Sequence, residues 1–385
     1  MTPAARLSAA IEVLDRILAG TAAEQALANW GRASRFAGSG DRLAVRDLVY
    51  DALRCRRSYA ALGGGDTGRG LVLGGQRAAG ADLAALFTGE GHAPAKIAAS
   101  EVGQEPEGAA ALDLPEWLMP QLGASLGADL GAVAEALRQR APVFLRANTL
   151  RASRDEAIRA LHSDGVLAVP HPLADTALQV MEGARKIQAG QAYQSGLVEL
   201  QDAASQAVVN ALPLCDGQRV LDLCAGGGGK TLGMAARARL SLFAHDAFPA
   251  RMRDLPARAR RAGAKVTLTE TPEKLATFDL VLADAPCSGS GSWRRDPQGK
   301  WALTPQRLAQ ILSVQDQILD RMAHLVKPGG FVAYATCSLL RAENEDRIAA
   351  FLDRTPGWQL HKAEVYTPLS GGDGFFVALL TQASR

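Results

Sequence analysis

From about residue 217 to the end of the chain, short apolar runs alternate with amphipathic helical stretches. No other feature restricts the fold as strongly. The apolar runs at 219–224, 241–246, 265–269, 280–284 and 331–336 read as strands. The stretches at 229–238, 249–262, 305–326 and 343–354 read as helices. Two more strands, near 358–362 and 375–380, close the sequence. A strand that returns through a helix comes back parallel, so the pattern predicts an α/β, doubly wound, Rossmann-like sheet. Sheets of this kind bind ligands beyond the C-terminal ends of their strands.

The chain upstream reads differently. Residues 1–60 are helical in pattern. Thr2 can cap and Pro3 suits a first turn, and Leu7, Ile11, Leu14 and Leu18 form one stripe. The stretch 42–59 repeats the pattern with Leu43, Val45, Leu48, Val49, Ala52 and Leu53. Eight glycines between 63 and 80 predict a flexible connection. Short helices are expected near 81–87 and 94–102. Helical patterns at 117–140 and 153–163 bracket a strand at 143–148, which suggests a small mixed α/β unit ending near 190. The 385 residues thus divide into 1–110, an all-helical extension; 111–195, a small α/β unit; and 196–385, the doubly wound sheet.

With 48% apolar and 21% charged residues, the chain can build ordinary cores, which excludes global disorder. The net charge of +2 does not announce a nucleic-acid binder, although 34 Arg stand against 8 Lys. Residues 1–60 carry nine Arg against six acids, and the Arg54, Arg56, Arg57 cluster suits phosphate as well as it suits a solvated helix face. The five cysteines form no Cys-x-x-Cys pair, so neither a disulfide framework nor a metal site is expected. No run is apolar enough for a membrane span or a signal peptide, and the expectation is a cytoplasmic, monomeric protein.

Three motifs carry chemistry. In the first, Val220-Leu-Asp-Leu-Cys-Ala-Gly-Gly-Gly-Gly-Lys-Thr231, a strand runs through a glycine turn into a helix. A phosphate-binding P-loop would need glycine where Cys224 stands, so that reading fails at its first position. An S-adenosylmethionine pocket fits better. Asp246 ends the next strand, 24 residues after Asp222, where a carboxylate can hold ribose hydroxyls. A carboxylate near the glycine turn can also face the cationic methyl donor. The second motif, Leu282-Ala-Asp-Ala-Pro-Cys-Ser-Gly-Ser-Gly291, and the third, Tyr334-Ala-Thr-Cys-Ser338, lie at two further strand ends. Pro286-Cys287 resembles the nucleophile loop of cytosine-C5 methyltransferases, a resemblance that implies nucleophilic catalysis on a pyrimidine. A thiolate adding at C6 of cytosine makes C5 nucleophilic, and Asp284 can stabilise charge at N3. The residues alone do not choose between Cys287 and Cys337.

With these motifs the sequence resembles the RsmB-like (Sun) branch of the RNA cytosine-C5 methyltransferases. Phe144-Leu-Arg-Ala-Asn-Thr-Leu150, Gln201-Asp-Ala-Ala-Ser205, Arg294-Arg-Asp-Pro297 with Lys300-Trp301, and Gly372-Asp-Gly-Phe-Phe376 match as well. Residues 1–110 more faintly resemble that branch's NusB-like RNA-binding domain. The resemblance implies Cys337 as nucleophile and Cys287 in product release. It implies cofactor contacts from Asp222, Cys224, Ala225, Gly226, Gly227, Gly228, Gly229, Lys230, Asp246 and Asp284. It also implies RNA, foremost small-subunit ribosomal RNA, as substrate, with transfer RNA, another RNA or a weakly active assembly factor as alternatives. Gly226-Gly227 replaces the branch's usual Ala-Pro, and Thr269-Glu270-Thr271 replaces an expected Asp beside the adenine. Arg294, Arg295 and Lys300, interleaved with Trp293 and Trp301, suit single-stranded RNA as cations and stacking rings, or a packed loop.

Overall fold

The computed structural model describes residues 1–382 and resolves into two compact units. The first comprises residues 1–140 together with 293–303; the second comprises 141–292 and the chain from 304 onward. The helices Met119–Leu126 and Leu130–Arg138 pack with the first unit.

The second unit holds two sheets. Strands β1 (Val143–Ala147), β2 (Leu167–Pro170), β3 (Ala177–Glu182) and β4 (Val198–Leu200) form an antiparallel sheet in the order β2-β3-β1-β4. The larger sheet contains β5 (Arg219–Asp222), β6 (Ser241–Ala244), β7 (Thr267–Leu268), β8 (Phe278–Asp284), β9 (Val326–Thr336), β10 (Trp358–Tyr366) and β11 (Phe375–Gln382). Its order is β10-β11-β9-β8-β5-β6-β7. Pairings from β9 to β7 are parallel, and β11 alone runs against its neighbours. The chain winds outward from β5 in both directions, so the order reverses between β5 and β8. The C-terminal ends of these two strands flank the crevice where doubly wound sheets bind ligands.

Both faces of this sheet are covered. Leu221, Val281, Val332, Tyr334 and Phe376 pack with Leu319, Met322 and Phe351 from the helices Pro305–Leu325 and Glu345–Arg354. Val220, Leu280, Leu282, Ala333 and Val377 face the helix Ala203–Asn210 through Val208 and Val209. Strands buried on both faces explain why the sequence shows continuous apolar runs rather than alternation.

Two local expectations are corrected. The glycine-rich stretch is not a flexible connection: Gly68–Ala78 is a helix whose Leu71, Val72 and Leu73 are core. It lies so close to the helix Arg56–Gly63 that a Cβ on Gly74 would sit 1.9 Å from the Tyr59 carbonyl oxygen. One on Gly63 would sit 1.8 Å from that of Gly70. The glycines serve close backbone approach, which a composition argument reads as flexibility. Residues 94–102 are not helical, in keeping with Pro94 at the start and Gly103 just beyond.

Candidate active site

Four strand ends carry the residues singled out above. Asp222 ends β5, Asp246 stands two residues after β6, Asp284 ends β8 and Cys337 follows β9. Parallel pairing of β8 with β9, extended by Ala285 N–H donating to the Ala335 carbonyl at 2.8 Å, sets the two cysteine loops side by side. Cys287 Sγ and Cys337 Sγ are 3.4 Å apart. Ser292 Oγ lies 3.9 Å from Cys337 Sγ. The hydrogen bond with Cys337, then burial, pushes the Cys287 thiol well above its ordinary value. The proton is thereby kept on Cys287, where it can donate toward Cys337 Sγ.

The glycine turn is held by its neighbours. Gly226 and Gly228 have φ of +51° and +82°, a region that favours glycine. A Cβ on Gly228 would lie 2.2 Å from Leu255 Cδ1. Asp246 is buried and accepts from the Gly226 amide through Oδ2 and from the Phe248 amide through Oδ1, each at 2.9 Å. Two arginines brace the turn's carbonyls: Arg146 donates to Gly229 O at 2.7 Å, and Arg258 donates to Gly227 O. Glu199, buried in β4, pairs with Arg258 at 2.9 Å and with Arg261, fixing the small sheet to this side of the large one. This bracing offsets the freedom that Gly226-Gly227 introduces.

Asp222 is buried. Its Oδ2 accepts from Thr231 Oγ1 at 2.6 Å, and Oδ1 makes no hydrogen bond of normal geometry among the described residues. Burial raises its carboxyl to about 7. Lys230 Nζ donates to Asp284 Oδ2 at 2.6 Å and lies 4.6 Å from the centre of the Phe375 ring. Cys224 stands beside this cluster, and burial pushes its thiol up. Thr269 at the end of β7 is tied by its amide to Ala244 O, while Glu270 is exposed.

The expected RNA contacts fall elsewhere, in the helical unit. Lys300 is buried, and its Nζ donates to the carbonyls of Arg54 at 2.9 Å and Asp113 at 2.7 Å. Burial lowers this ammonium to about 8. Arg54 is buried too, its Nε donating to Arg294 O at 2.9 Å; Trp301 Nε1 donates to Leu53 O at 2.6 Å. Trp293 and Arg294 are buried, whereas Arg295 is exposed. Arg56 forks onto Asp66, and Arg57 binds Leu114 O and Glu116. Segment 293–303 is thus a packed latch of the helical unit. Arg54 and Lys300, desolvated and bound to carbonyl oxygens, are poorly disposed to meet phosphate.

Sequence reading missed Glu343, Gln315, Asn344 and Arg146. Thr336 Oγ1 donates to Asn344 Oδ1 at 2.5 Å, and Asn344 Nδ2 donates to Ser338 O at 2.9 Å. Arg341-Ala-Glu-Asn-Glu345 reads as the acidic start of a helix, and one sequence gives no sign that Glu343 turns inward.

A parallel sheet with one reversed strand, a glycine turn after its first strand and an acid after its second give the Rossmann-like fold that methyltransferases share with other nucleotide-cofactor proteins. Residues 209–381 match the family described as 16S rRNA methyltransferase RsmB/F, and residues 114–187 match the ferredoxin-like domain of RsmF/B-like methyltransferases. The chain belongs to the RsmB-like (Sun) family of methyltransferases. It is 35% identical over 284 residues to the ribosomal RNA small subunit methyltransferase B of Citrobacter koseri, covering 69% of this chain and 66%, just under two thirds, of that relative. The crystal structure of PH0851 shares the fold across 99% of both chains, with a TM-score of 0.80 at 24% identity. A methyltransferase homolog protein from Pyrococcus horikoshii has a TM-score of 0.63 at 25% identity, over 71% of this chain and 97% of its own. Among the described residues, no helix is long and apolar enough to cross a membrane, and no group of three or more His, Cys, Asp or Glu stands ready for a metal.

Proposed function

We propose that this chain methylates C5 of a cytosine in RNA, foremost in small-subunit ribosomal RNA, with S-adenosylmethionine as donor. The observation that carries the reading is the pair of thiols 3.4 Å apart at the ends of adjacent parallel strands, beside the glycine turn. The residues suit the donor: Gly226 to Gly229 leave the turn free of side chains, Asp246 beside the turn would hold the ribose hydroxyls, and buried Asp222 has an oxygen outside hydrogen bonding. When bound, the donor supplies an electrophilic methyl group.

Cys337 Sγ adds to C6 of a cytosine taken out of its stack, and the electron pair moves to C5. Lys230 and Asp284, hydrogen-bonded to each other, supply a proton or hydrogen bond near N3 as negative charge develops there. C5 then takes the methyl group. Loss of the C5 proton to a base re-forms the C5=C6 double bond as the Sγ–C6 bond breaks and Cys337 leaves as thiolate, with Cys287 assisting that release. Ribosomal RNA as substrate is supported by the names of the matching family and of the curated relatives.

Purified protein incubated with small-subunit ribosomal RNA and S-adenosylmethionine should yield a bisulfite-resistant cytosine, and Cys337→Ala should yield none. A chain that fails to bind S-adenosylmethionine in calorimetry would sink the enzymatic reading. Binding with unmodified ribosomal RNA would remove only the substrate.

A further inference from the structure

Glu343 is buried and lies between the two cysteine loops. Its Oε1 accepts from the Ser288 amide at 2.8 Å and from Gln315 Nε2 at 3.1 Å. Its Oε2 accepts from the hydroxyls of Ser288 and Ser338, the residues that directly follow Cys287 and Cys337. Gln315 Nε2 also donates to Pro286 O at 3.0 Å. Tyr334, under the sheet end, donates from its hydroxyl to the Glu343 carbonyl at 2.8 Å and fixes the backbone that carries this carboxylate. Ser290 Oγ lies 3.0 Å from Ser338 Oγ and accepts from the Leu339 amide at 2.8 Å, which closes the ring of contacts.

We infer that Glu343 is a positioning residue: a single carboxylate that ties Ser288 to Ser338 and so holds Cys287 and Cys337 in register. Among the described residues it makes no hydrogen bond to either sulfur, so it acts through the serines. A buried carboxylate is costly unless its lone pairs are filled, and here four donors fill them. Three of those donors belong to the thiols' own neighbours, two to Ser288 and one to Ser338, so slack in one loop is felt at once in the other. The serines after the cysteines thereby acquire a role, as the handles by which the loops are held. The charge has a second effect, since it opposes ionisation of Cys287 and helps keep that group a thiol. The groups facing Cys287 are Cys337, Glu343 and Tyr334, and the Asp316–Arg347 pair acts in turn on Tyr334. The role in methylation rests on the function proposed above, but the register of the thiols does not.

The test uses the full chain with Glu343→Ala and Glu343→Gln, each checked for fold by circular dichroism. Diamide should close a Cys287–Cys337 disulfide quickly in the unmodified protein. In Glu343→Ala closure should slow by about tenfold, as alignment of the reacting atoms is lost. Glu343→Gln keeps the shape and should restore closure to within about threefold. Its missing charge should lower the pH midpoint for iodoacetamide labelling of Cys287. A folded Glu343→Ala that closes at the unmodified rate would overturn the inference, as would an unmodified chain whose thiols fail to close. If the alanine variant does not fold, Ser288→Ala and Ser338→Ala, each of which removes a tie to Glu343, should slow closure, and unchanged closure in both overturns it. None of these readouts uses RNA. Normal closure and labelling in a chain that never methylates RNA counts against the function, not against Glu343.

Discussion

Asp222 shows how much the meaning of one residue depends on burial. Its place at the end of β5 was legible from the glycine turn that follows, but its protonation was not. Burial lifts its carboxyl to about 7 from an ordinary 3.8. Between those values the folded chain retains a proton that the unfolded chain has released, so stability falls as pH rises through the window. Asp222→Asn cannot ionise and escapes that loss. Its melting temperature relative to the parent should therefore climb from pH 4.5 to pH 7.5, by an amount reflecting up to a few kcal/mol. Parallel melting curves across that range would contradict the assignment. Glu343 was illegible for a related reason: its function depends on which way a short helical turn faces, and a single sequence does not record that.

The helix Gly68–Ala78 makes the same point for an element. Strands β5, β8 and β9 were readable because a strand covered on both faces must be continuously apolar. The glycine-rich helix was not, because its glycines are selected by a neighbouring backbone rather than by its own conformation. In an open helix Gly→Ala gains about 1 kcal/mol. At Gly74 the added Cβ meets the Tyr59 carbonyl, and overpacking of about 1–3 kcal/mol should outweigh that gain. Thermal melting of Gly74→Ala should thus show destabilisation. Gly40→Ala, where nothing lies within 4 Å, should be neutral or stabilising. Equal, upward shifts in both variants would return the segment to an ordinary flexible role.

For the molecule as a whole, the sequence order misleads about domain order. Segment 293–303 follows the Pro286-Cys287 loop in the chain yet packs within the helical unit. Gln298 there accepts from the Ala23 amide at 2.8 Å and caps the helix Ala23–Ala33. Aromatic residues interleaved with cations look alike whether they face RNA or pack beneath a helix, so composition could not separate the two. Lys300→Met separates them. Removing the ammonium relieves its own desolvation but leaves two buried carbonyls without a donor, and it leaves Arg138 as the cation paired with Asp113. The net effect should be a loss of about 1–3 kcal/mol in thermal stability. The salt dependence of RNA binding should not change, since no phosphate contact is lost. A shallower salt slope with unchanged melting would restore the phosphate role.

The most direct measurement of the central claim is a denaturing gel of Cys287→Ala incubated with small-subunit ribosomal RNA and S-adenosylmethionine. Cys337 attacks and Cys287 assists its release, so this variant should accumulate a slow-migrating protein–RNA adduct, and a further Cys337→Ala change should abolish it. An adduct that requires Cys287 and survives loss of Cys337 would contradict the assignment.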